Sequence, residues 1–258
     1  MSRGKDRQGS GRGVWCFVLI TFKPLASSSA GCSYLLSSGD NSLLLDCGLS
    51  FEQIQRGLDY KVTQLDGCLI THGHGDHVKG FKGLLAAGVN CYATLETWDH
   101  LKAHRTHRSK IITPYKEFRV GDWQVVAVDC VHDFQGTVGY VIKGGGATCL
   151  YLSDTAWSRN KFPGLTHLFI ECNHSVEIMR DNTLRGGMDA RRYSRTRTNH
   201  MSLETLEKFL DANDLSSLQE IHLLHLSDGN SDERMFKERI AAKTGVPVYI
   251  AGKHEVPF

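Results

Sequence analysis

The stretch that decides the fold runs from residue 66 to residue 77 and reads Asp66-Gly67-Cys68-Leu69-Ile70-Thr71-His72-Gly73-His74-Gly75-Asp76-His77. Its first half is a short apolar run, which predicts a buried β-strand. Its second half places three histidines and one aspartate within six residues, and the intervening glycines let the backbone turn tightly around a small ion. Because imidazole and carboxylate groups are common ligands of divalent cations, the stretch predicts a metal site at the end of a strand.

The spacing of these side chains indicates two neighbouring cations. In an extended segment the side chains alternate between two faces, so His72 and His74 point the same way and can hold one ion. Asp76 and His77 follow a glycine turn and can face a second ion close by. A histidine-rich surface loop is the alternative interpretation, and the complete ligand spacing directly after a buried strand argues against it.

Composition is typical of an ordinary globular protein. The chain has 258 residues, of which 41% are hydrophobic, and its formal net charge is +2. The hydrophobic content is enough to bury a sizeable core. The small net charge does not by itself require nucleic acid as a partner. Eight scattered cysteines without a Cys-x-x-Cys pair predict a reduced, cytoplasmic protein. No apolar run reaches the roughly 20 residues that a membrane-spanning helix needs, so no membrane partner is expected.

Strand and helix patterns predict one α/β domain after a short leader. Residues 1–13 are basic and glycine-rich and are expected to be disordered. The apolar run at 14–22 fits either a first buried strand or the core of a signal peptide, and its short length favours the strand. Two strand-rich halves with helices outside them predict a four-layer αββα sandwich. A helix is expected over 95–107, the polar stretch 175–198 is left open, and Ser202 is predicted to be an N-cap.

Two motifs resemble those of the metallo-β-lactamase superfamily. The run from His72 to His77 resembles its H-x-H-x-D-H signature, and Leu45-Asp46-Cys47-Gly48 resembles its early Asp-x-Gly turn. The resemblance extends from about residue 14 to the C-terminus and implies one hydrolase domain over residues 14–258 with a dinuclear centre. It also implies three more ligands, each directly after a strand, and the sequence offers His132, Asp154 and His225.

The family pattern also assigns a role to each ligand. It implies that His72, His74 and His132 hold the first ion. It further implies that Asp76, His77 and His225 hold the second ion and that Asp154 bridges the two. The ions implied are two divalent cations, either zinc or manganese.

Within the superfamily, the chain is similar to the branch that contains the transfer-RNA 3′-processing endonuclease and the WalJ/YycJ nucleases. This resemblance implies that His200, in Asn199-His200-Met201-Ser202, protonates the leaving oxygen and that Glu171 orients His200. In a two-metal mechanism, Asp76 or Asp154 could orient the attacking water, and Asp76 is the catalytic candidate. Taken alone, His200 also fits an ordinary residue at the start of a helix, and Glu171 fits an exposed strand end.

These resemblances favour a metal-dependent phosphodiesterase. Size and motif order are similar to the anti-Pycsar phosphodiesterases of phages, which implies hydrolysis of 3′,5′-cyclic nucleotides against a host defence, in the host cytoplasm. A 5′ DNA exonuclease is the first alternative, and a thioester or lactone hydrolase is the second. A small nucleotide is therefore the favoured substrate, DNA or RNA is the alternative, and a homodimer is expected from the resemblance alone.

Arginines that suit phosphate binding are frequent in the stretch before His200. They are Arg185, Arg191, Arg192, Arg195 and Arg197.

Overall fold

The computed structural model describes residues 19–103 and 106–252. The predicted leader at residues 1–13 lies outside these described residues. Within them, two β-sheets enclose a central core and helices cover both outer faces, so the predicted four-layer α/β sandwich is confirmed. No helix in the described part of the chain is long and apolar enough to cross a membrane.

The first sheet has six strands in sequence order, with antiparallel pairing among the first three and parallel pairing from β3 onward. Its strands are β1 (Ile20–Ser28), β2 (Gly31–Ser38), β3 (Asn41–Leu45), β4 (Gly67–Leu69), β5 (Cys91–Ala93) and β6 (Ser109–Ile111). The strand expected over 14–22 is thus seen from Ile20 and continues to Ser28.

The second sheet has seven strands in the order β13-β12-β11-β10-β9-β8-β7. They are β7 (Glu117–Val120), β8 (Trp123–Asp129), β9 (Val138–Gly144), β10 (Ala147–Leu152), β11 (His167–Glu171), β12 (Glu220–Leu224) and β13 (Val248–Ile250). Pairing is antiparallel from β7 to β10 and parallel from β10 to β13. Strands β8, β10, β11 and β12 therefore run in one direction, and their C-terminal ends meet at the same edge.

The helices are α1 (Phe51–Gly57), α2 (Gly75–Val78), α3 (Phe81–Ala86), α4 (Leu95–Leu101), α5 (Val176–Leu184), α6 (Ala190–Asn199), α7 (Leu203–Ala212) and α8 (Glu233–Thr244), with a 3₁₀ turn at Val62–Gln64. The N-cap prediction is confirmed, because the Ser202 hydroxyl accepts a hydrogen bond from the Thr205 amide. The helix expected over 95–107 was predicted too long. It ends at Leu101 because Lys102 takes a left-handed conformation.

Three apolar clusters hold the four layers together. The central cluster lies between the sheets and contains fully buried aromatic side chains from both, such as Tyr34 of β2 and Tyr140 of β9. The two outer clusters join α1, α3 and α4 to the first sheet and α7 and α8 to the second. Each fully buried large apolar side chain contributes about 1.5–3 kcal/mol, so the sheet edge that carries the predicted ligands rests on a rigid scaffold.

Candidate metal centre

The loop after β4 is held in place by the turn that follows β3. The Cys47 amide donates to the His77 carbonyl at 2.8 Å, and the Gly80 amide donates to the Cys47 carbonyl at 2.8 Å. A Cβ atom on Gly48 would lie only 1.6 Å from the Asp76 carbonyl oxygen, so glycine alone allows the two segments to meet this closely. The Asp-x-Gly turn therefore fixes the backbone of the histidine-rich loop.

The Asp46 carboxylate organises the buried side of this loop. It accepts hydrogen bonds from the Thr71 amide at 2.8 Å and from the Tyr151 hydroxyl at 2.6 Å, and it lies 2.8 Å from His77 Nδ1. Asp46 is fully buried and has a left-handed backbone (φ 56°), which side chains other than glycine rarely adopt. Because the Asp46 carboxylate accepts a hydrogen bond from His77 Nδ1, Nε2 is the nitrogen that faces the site.

His72, His74 and His132 converge as predicted. Their ligand atoms all lie within 4.8 Å of one another, with His72 Nε2 at 3.1 Å and His132 Nε2 at 3.2 Å from His74 Nδ1. Nδ1 of His132 is 3.0 Å from the Asn199 carbonyl oxygen, which fixes Nε2 as the nitrogen that faces the other two rings. Three imidazole nitrogens that point at one another in this way are typical of ligands around a single cation.

The Asp154 carboxylate lies between this histidine set and the remaining predicted ligands. Oδ2 is 3.9 Å from His132 Nε2 and 3.5 Å from His77 Nε2, while Oδ1 is 3.0 Å from His225 Nδ1. Asp76 Oδ2 is 3.9 Å from His77 Nε2. A series of contacts no longer than 3.9 Å therefore joins all seven predicted ligands, and Asp154 contacts members of both predicted sets.

Two buried nitrogen atoms show that this cage suits cations. Among the described residues, His77 Nε2, His174 Nδ1 and His225 Nε2 are the buried side-chain N or O atoms without a hydrogen-bond partner. Two of the three belong to predicted ligands, and such unpaired buried groups are costly unless something binds them. The donor set of imidazoles and carboxylates fits zinc-like ions, so the residues present fit the predicted metal group.

Electrostatics favour the ligand forms of His72 and Asp154. Burial, together with the charge of His77, holds the pKa of His72 well below its usual value, so that the ring is neutral near pH 7. Burial alone would raise the pKa of Asp154, but the imidazoles of His225 and His77 hold it well below the usual range. Neutral imidazole and ionised carboxylate are the forms that bind metal. Burial opposes the charged forms of His77 and His225, but the Asp154 carboxylate outweighs it and raises the pKa of both rings, so a cation would replace a proton there.

Glu171 and His200 form a hydrogen-bonded pair beside the cage. Glu171 Oε1 is 2.6 Å from His200 Nδ1, and Oε2 accepts hydrogen bonds from the amides of Thr155 (2.9 Å) and Met201 (3.1 Å). Burial opposes ionisation of Glu171, yet the charge of His200 and its hydrogen bond lower the pKa of that carboxyl to about 2. Burial likewise opposes the charged form of His200, and Glu171 outweighs it and raises the pKa of His200.

A cavity of about 460 Å³ opens over this edge. It is lined by predicted ligands, by His200, by Ser29 and by three residues of α6, namely Arg192, Arg195 and Thr196. The stretch that the sequence left open therefore forms α5 and α6, and α6 makes one wall of the cavity. Arg185, Arg191 and Arg197 are exposed and do not line it.

Asp133 attaches α6 to the metal edge, a role that the sequence did not indicate. Its Oδ2 accepts hydrogen bonds from Arg195 Nε at 3.1 Å and Asn199 Nδ2 at 2.7 Å, and its Oδ1 is 3.2 Å from His132 Nε2. Its position directly after His132 is the one signal that the sequence offered.

The grouping of the second ligand set differs from the prediction in one respect. His225 has Glu171 and His200 as neighbours, and their ligand atoms fall within 4.8 Å of one another together with those of Asp154. Asp76 instead lies at the cavity wall with a side chain that is 25% exposed. The structure brings every predicted site residue to one edge, and their individual roles remain predictions.

Comparisons with known proteins agree with this geometry. Residues 41–222 match the model of the β-lactamase superfamily domain. Exodeoxyribonuclease WalJ of Streptococcus pneumoniae is 29% identical over 222 residues, covering 80% of this chain and 81% of the relative. The anti-Pycsar protein of a Paenibacillus species is 44% identical over 50 residues, which is 19% of this chain and 20% of the relative.

A solved structure shows the same architecture. The metallo-β-lactamase fold protein YhfI of Bacillus subtilis superposes with a TM-score of 0.71 and 18% identity, covering 92% of this chain and 97% of that one. At this identity the superposition shows the fold alone, while the family match spans most of the chain and includes the ligand-bearing loop. The chain therefore belongs to the metallo-β-lactamase superfamily and is a metal-dependent hydrolase of that family.

Proposed function

We propose that this hydrolase is a phosphodiesterase that acts on nucleotide substrates and that DNA ends are its first candidate substrate. The observation that carries the proposal is the position of His200 beside the histidine and aspartate cage. The His200 ring lies 5.5 Å from the His132 ring and 5.4 Å from the His225 ring, centroid to centroid. A proton donor thus lies next to the place where a bound phosphate would meet the cations.

The cations would be held by His72, His74 and His132 on one side and by Asp76, His77 and His225 on the other, with Asp154 between them. We propose zinc as the resident ion because imidazole dominates the donor set. Two such ions supply an activated water and neutralise charge on the scissile phosphate. Asp76 lines the cavity and is positioned to orient the attacking water.

His200 provides the proton that an alkoxide leaving group needs. Glu171 accepts a hydrogen bond from Nδ1–H of His200 and favours the charged ring, so Nε2–H can donate its proton to the departing oxygen. This arrangement favours a phosphodiester over a thioester. A thiolate is a far weaker base than an alkoxide and departs without protonation, because thiols ionise near pH 8.5.

Positive charge on α5 and α6, the segment that provides one wall of the cavity, supports a polymeric substrate. Residues 176–199 contain six arginines and three acidic residues, a net charge of +3 against +2 for the whole chain. A cyclic mononucleotide has one phosphate, whereas a DNA strand presents a row of phosphates that several exposed arginines can bind. The likeness to an exodeoxyribonuclease along 80% of the chain supports the same choice.

Cyclic nucleotides are the second candidate. The 44% identity with an anti-Pycsar protein over 50 residues supports them, as does a cavity of a size that suits small ligands. A homodimer and a cytoplasmic location are further proposals. The dimer follows from the family resemblance alone, and the location follows from the scattered cysteines without a Cys-x-x-Cys pair.

A substrate panel tests the proposal. The zinc-loaded protein is incubated with end-labelled single-stranded and duplex DNA, cyclic CMP, cyclic UMP, cyclic AMP, bis-p-nitrophenyl phosphate and a simple thioester. We expect stepwise shortening of DNA and hydrolysis of the aryl phosphodiester. Turnover of cyclic nucleotides with intact DNA would move the assignment to the second candidate. Turnover of the thioester alone would reject phosphodiester chemistry.

A further inference from the structure

A second cavity lies beside the metal centre and has a different character. It measures about 310 Å³, and its walls include Tyr115, Asp129, Trp157, Arg159 and Asn160. Two large aromatic side chains are exposed in it, Trp157 by 40% and Tyr115 by 57%. The Arg159 guanidinium lies over the Trp157 ring, 5.0 Å from its centroid. We call this space the aromatic cavity.

The backbone at Tyr115 also sets this cavity apart. Its φ angle is 62°, in the left-handed region that bulky residues rarely adopt. The Tyr115 amide is bonded to the Ala127 carbonyl at 2.8 Å, and its hydroxyl accepts a 3.4 Å hydrogen bond from Asn160. Tyr60 combines the same backbone angle with an exposed ring but does not line the aromatic cavity. The place of the Tyr115 ring in the cavity wall, together with Trp157, is what makes it available to a ligand.

The aromatic cavity and the metal centre share two segments of chain. Val131 lines the aromatic cavity and the next residue, His132, faces the metal centre. Trp157 lines the aromatic cavity and follows Asp154 by three residues, so their Cα atoms are at most about 11 Å apart. The Ala156 amide donates to the Val131 carbonyl at 2.8 Å and joins the two segments.

We propose that the aromatic cavity is a stacking site for a nucleobase of single-stranded DNA whose scissile phosphate lies at the metal centre. This inference rests on the proposed function and defines its substrate as a strand of several nucleotides. Aromatic faces stack on any base, and an arginine over the ring adds attraction for the phosphate backbone. Asp129 and Asn160 offer an acceptor and a donor to the edge of that base.

The separation fits a strand that continues past the cut. Successive nucleotides rise by at least roughly 3.4 Å, so the limit of about 11 Å between the Cα atoms of Asp154 and Trp157 is within the reach of a strand of a few nucleotides. The arginines of α6 lie on the wall of the metal cavity, while the aromatic cavity lies beyond the segments that carry His132 and Asp154.

The experiment compares Trp157→Ala and Trp157→Phe, with Tyr60→Ala as the control for removal of an exposed aromatic ring elsewhere (71% exposed). Loss of base stacking is expected to raise KM for an oligonucleotide of ten residues by about 5- to 100-fold in Trp157→Ala. Trp157→Phe should restore most of this affinity. The kcat and KM for bis-p-nitrophenyl phosphate and for a dinucleotide should not change in any of the three.

A fluorescence titration measures binding independently of cleavage. The chain has four tryptophans, of which Trp98 and Trp123 are buried and Trp15 lies outside the described residues. Oligonucleotide added to the zinc-loaded protein should quench the emission of Trp157, which is measured as the part of the quenching that disappears in Trp157→Phe. Tyr115→Gly should weaken oligonucleotide binding without lowering Tm, because glycine accepts the left-handed backbone. Quenching without cleavage would keep the stacking site and reject DNA hydrolysis. Absence of quenching, or an unchanged KM for the cleaved oligonucleotide in Trp157→Ala, would overturn the stacking site.

Discussion

The histidine-rich loop at residues 72–77 and helix α6 lie across one cavity and are built in opposite ways. The loop is fixed by backbone hydrogen bonds, by the close approach of Gly48 and by the buried Asp46 carboxylate. Helix α6 has one buried residue, Asn199, and is attached to the metal edge through Asp133 and His132. Buried support of this kind suits ligands that must keep their geometry, and the exposed, charged side of α6 suits the substrate contact proposed above.

Removal of Asp154 should have the largest effect, because it should lower both the activity and the metal content of the protein. Because its carboxylate contacts both ligand sets, we expect Asp154→Ala to lower kcat/KM for bis-p-nitrophenyl phosphate by at least about 10³-fold. Metal content per chain, measured by mass spectrometry of the eluted ions, should fall as well. Asp122→Ala, at an exposed turn, is the matched control. Full metal content and activity in Asp154→Ala would refute the bridging position.

Substitution of His200 separates proton donation from metal binding. We expect His200→Ala to lower the rate of DNA cleavage by about 10²- to 10⁴-fold, since an alkoxide must be protonated as it leaves. Hydrolysis of bis-p-nitrophenyl phosphate should fall much less, because p-nitrophenolate departs without a proton. Metal content should stay unchanged. Equal losses on both substrates would contradict a role as general acid.

Replacement of Asp46 weakens the support behind the loop. In Asp46→Asn, a neutral amide replaces the carboxylate that accepts the hydrogen bond from His77 Nδ1. Metal affinity should therefore fall by about 10- to 100-fold in a competition with a chromophoric chelator. Asp66→Asn is a suitable control, because Asp66 accepts the Ser42 amide at 2.8 Å on a different part of the first sheet. If both variants lose metal equally, the effect is one of general stability.

Removal of a single arginine from α6 should have the smallest effect. It should change substrate binding and leave metal binding unchanged. Arg192 lines the cavity and Arg197 does not, although both are exposed residues of the same helix. We expect Arg192→Ala to raise KM for DNA by about tenfold and to reduce the salt dependence of binding by about one phosphate contact. Arg197→Ala should have a weaker effect on KM. Unchanged DNA kinetics in Arg192→Ala would remove α6 from the substrate path.

The difference between the two regions also explains what could be predicted from the sequence. The loop ligands were predictable because few residue types bind cations and because strand ends place them at one edge. Helix α6 was not predictable, since it buries one residue and so lacks the apolar period that indicates a helix. Asn199 acts on His132 through its backbone carbonyl, a group that every residue has, so its identity gave no signal. The exposed position of the Tyr115 ring depends on a left-handed backbone angle that no sequence pattern indicates.

Asn199 is the last residue of helix α6, and its carbonyl accepts a hydrogen bond from His132 Nδ1 at 3.0 Å. A cation that restrains His132 would thus restrain the end of the helix that carries Arg192 and Arg195. If this restraint strengthens binding of the proposed substrate by some factor, thermodynamic reciprocity requires that bound substrate strengthens cation binding by the same factor. Under that condition, metal occupancy at limiting metal would rise with substrate concentration.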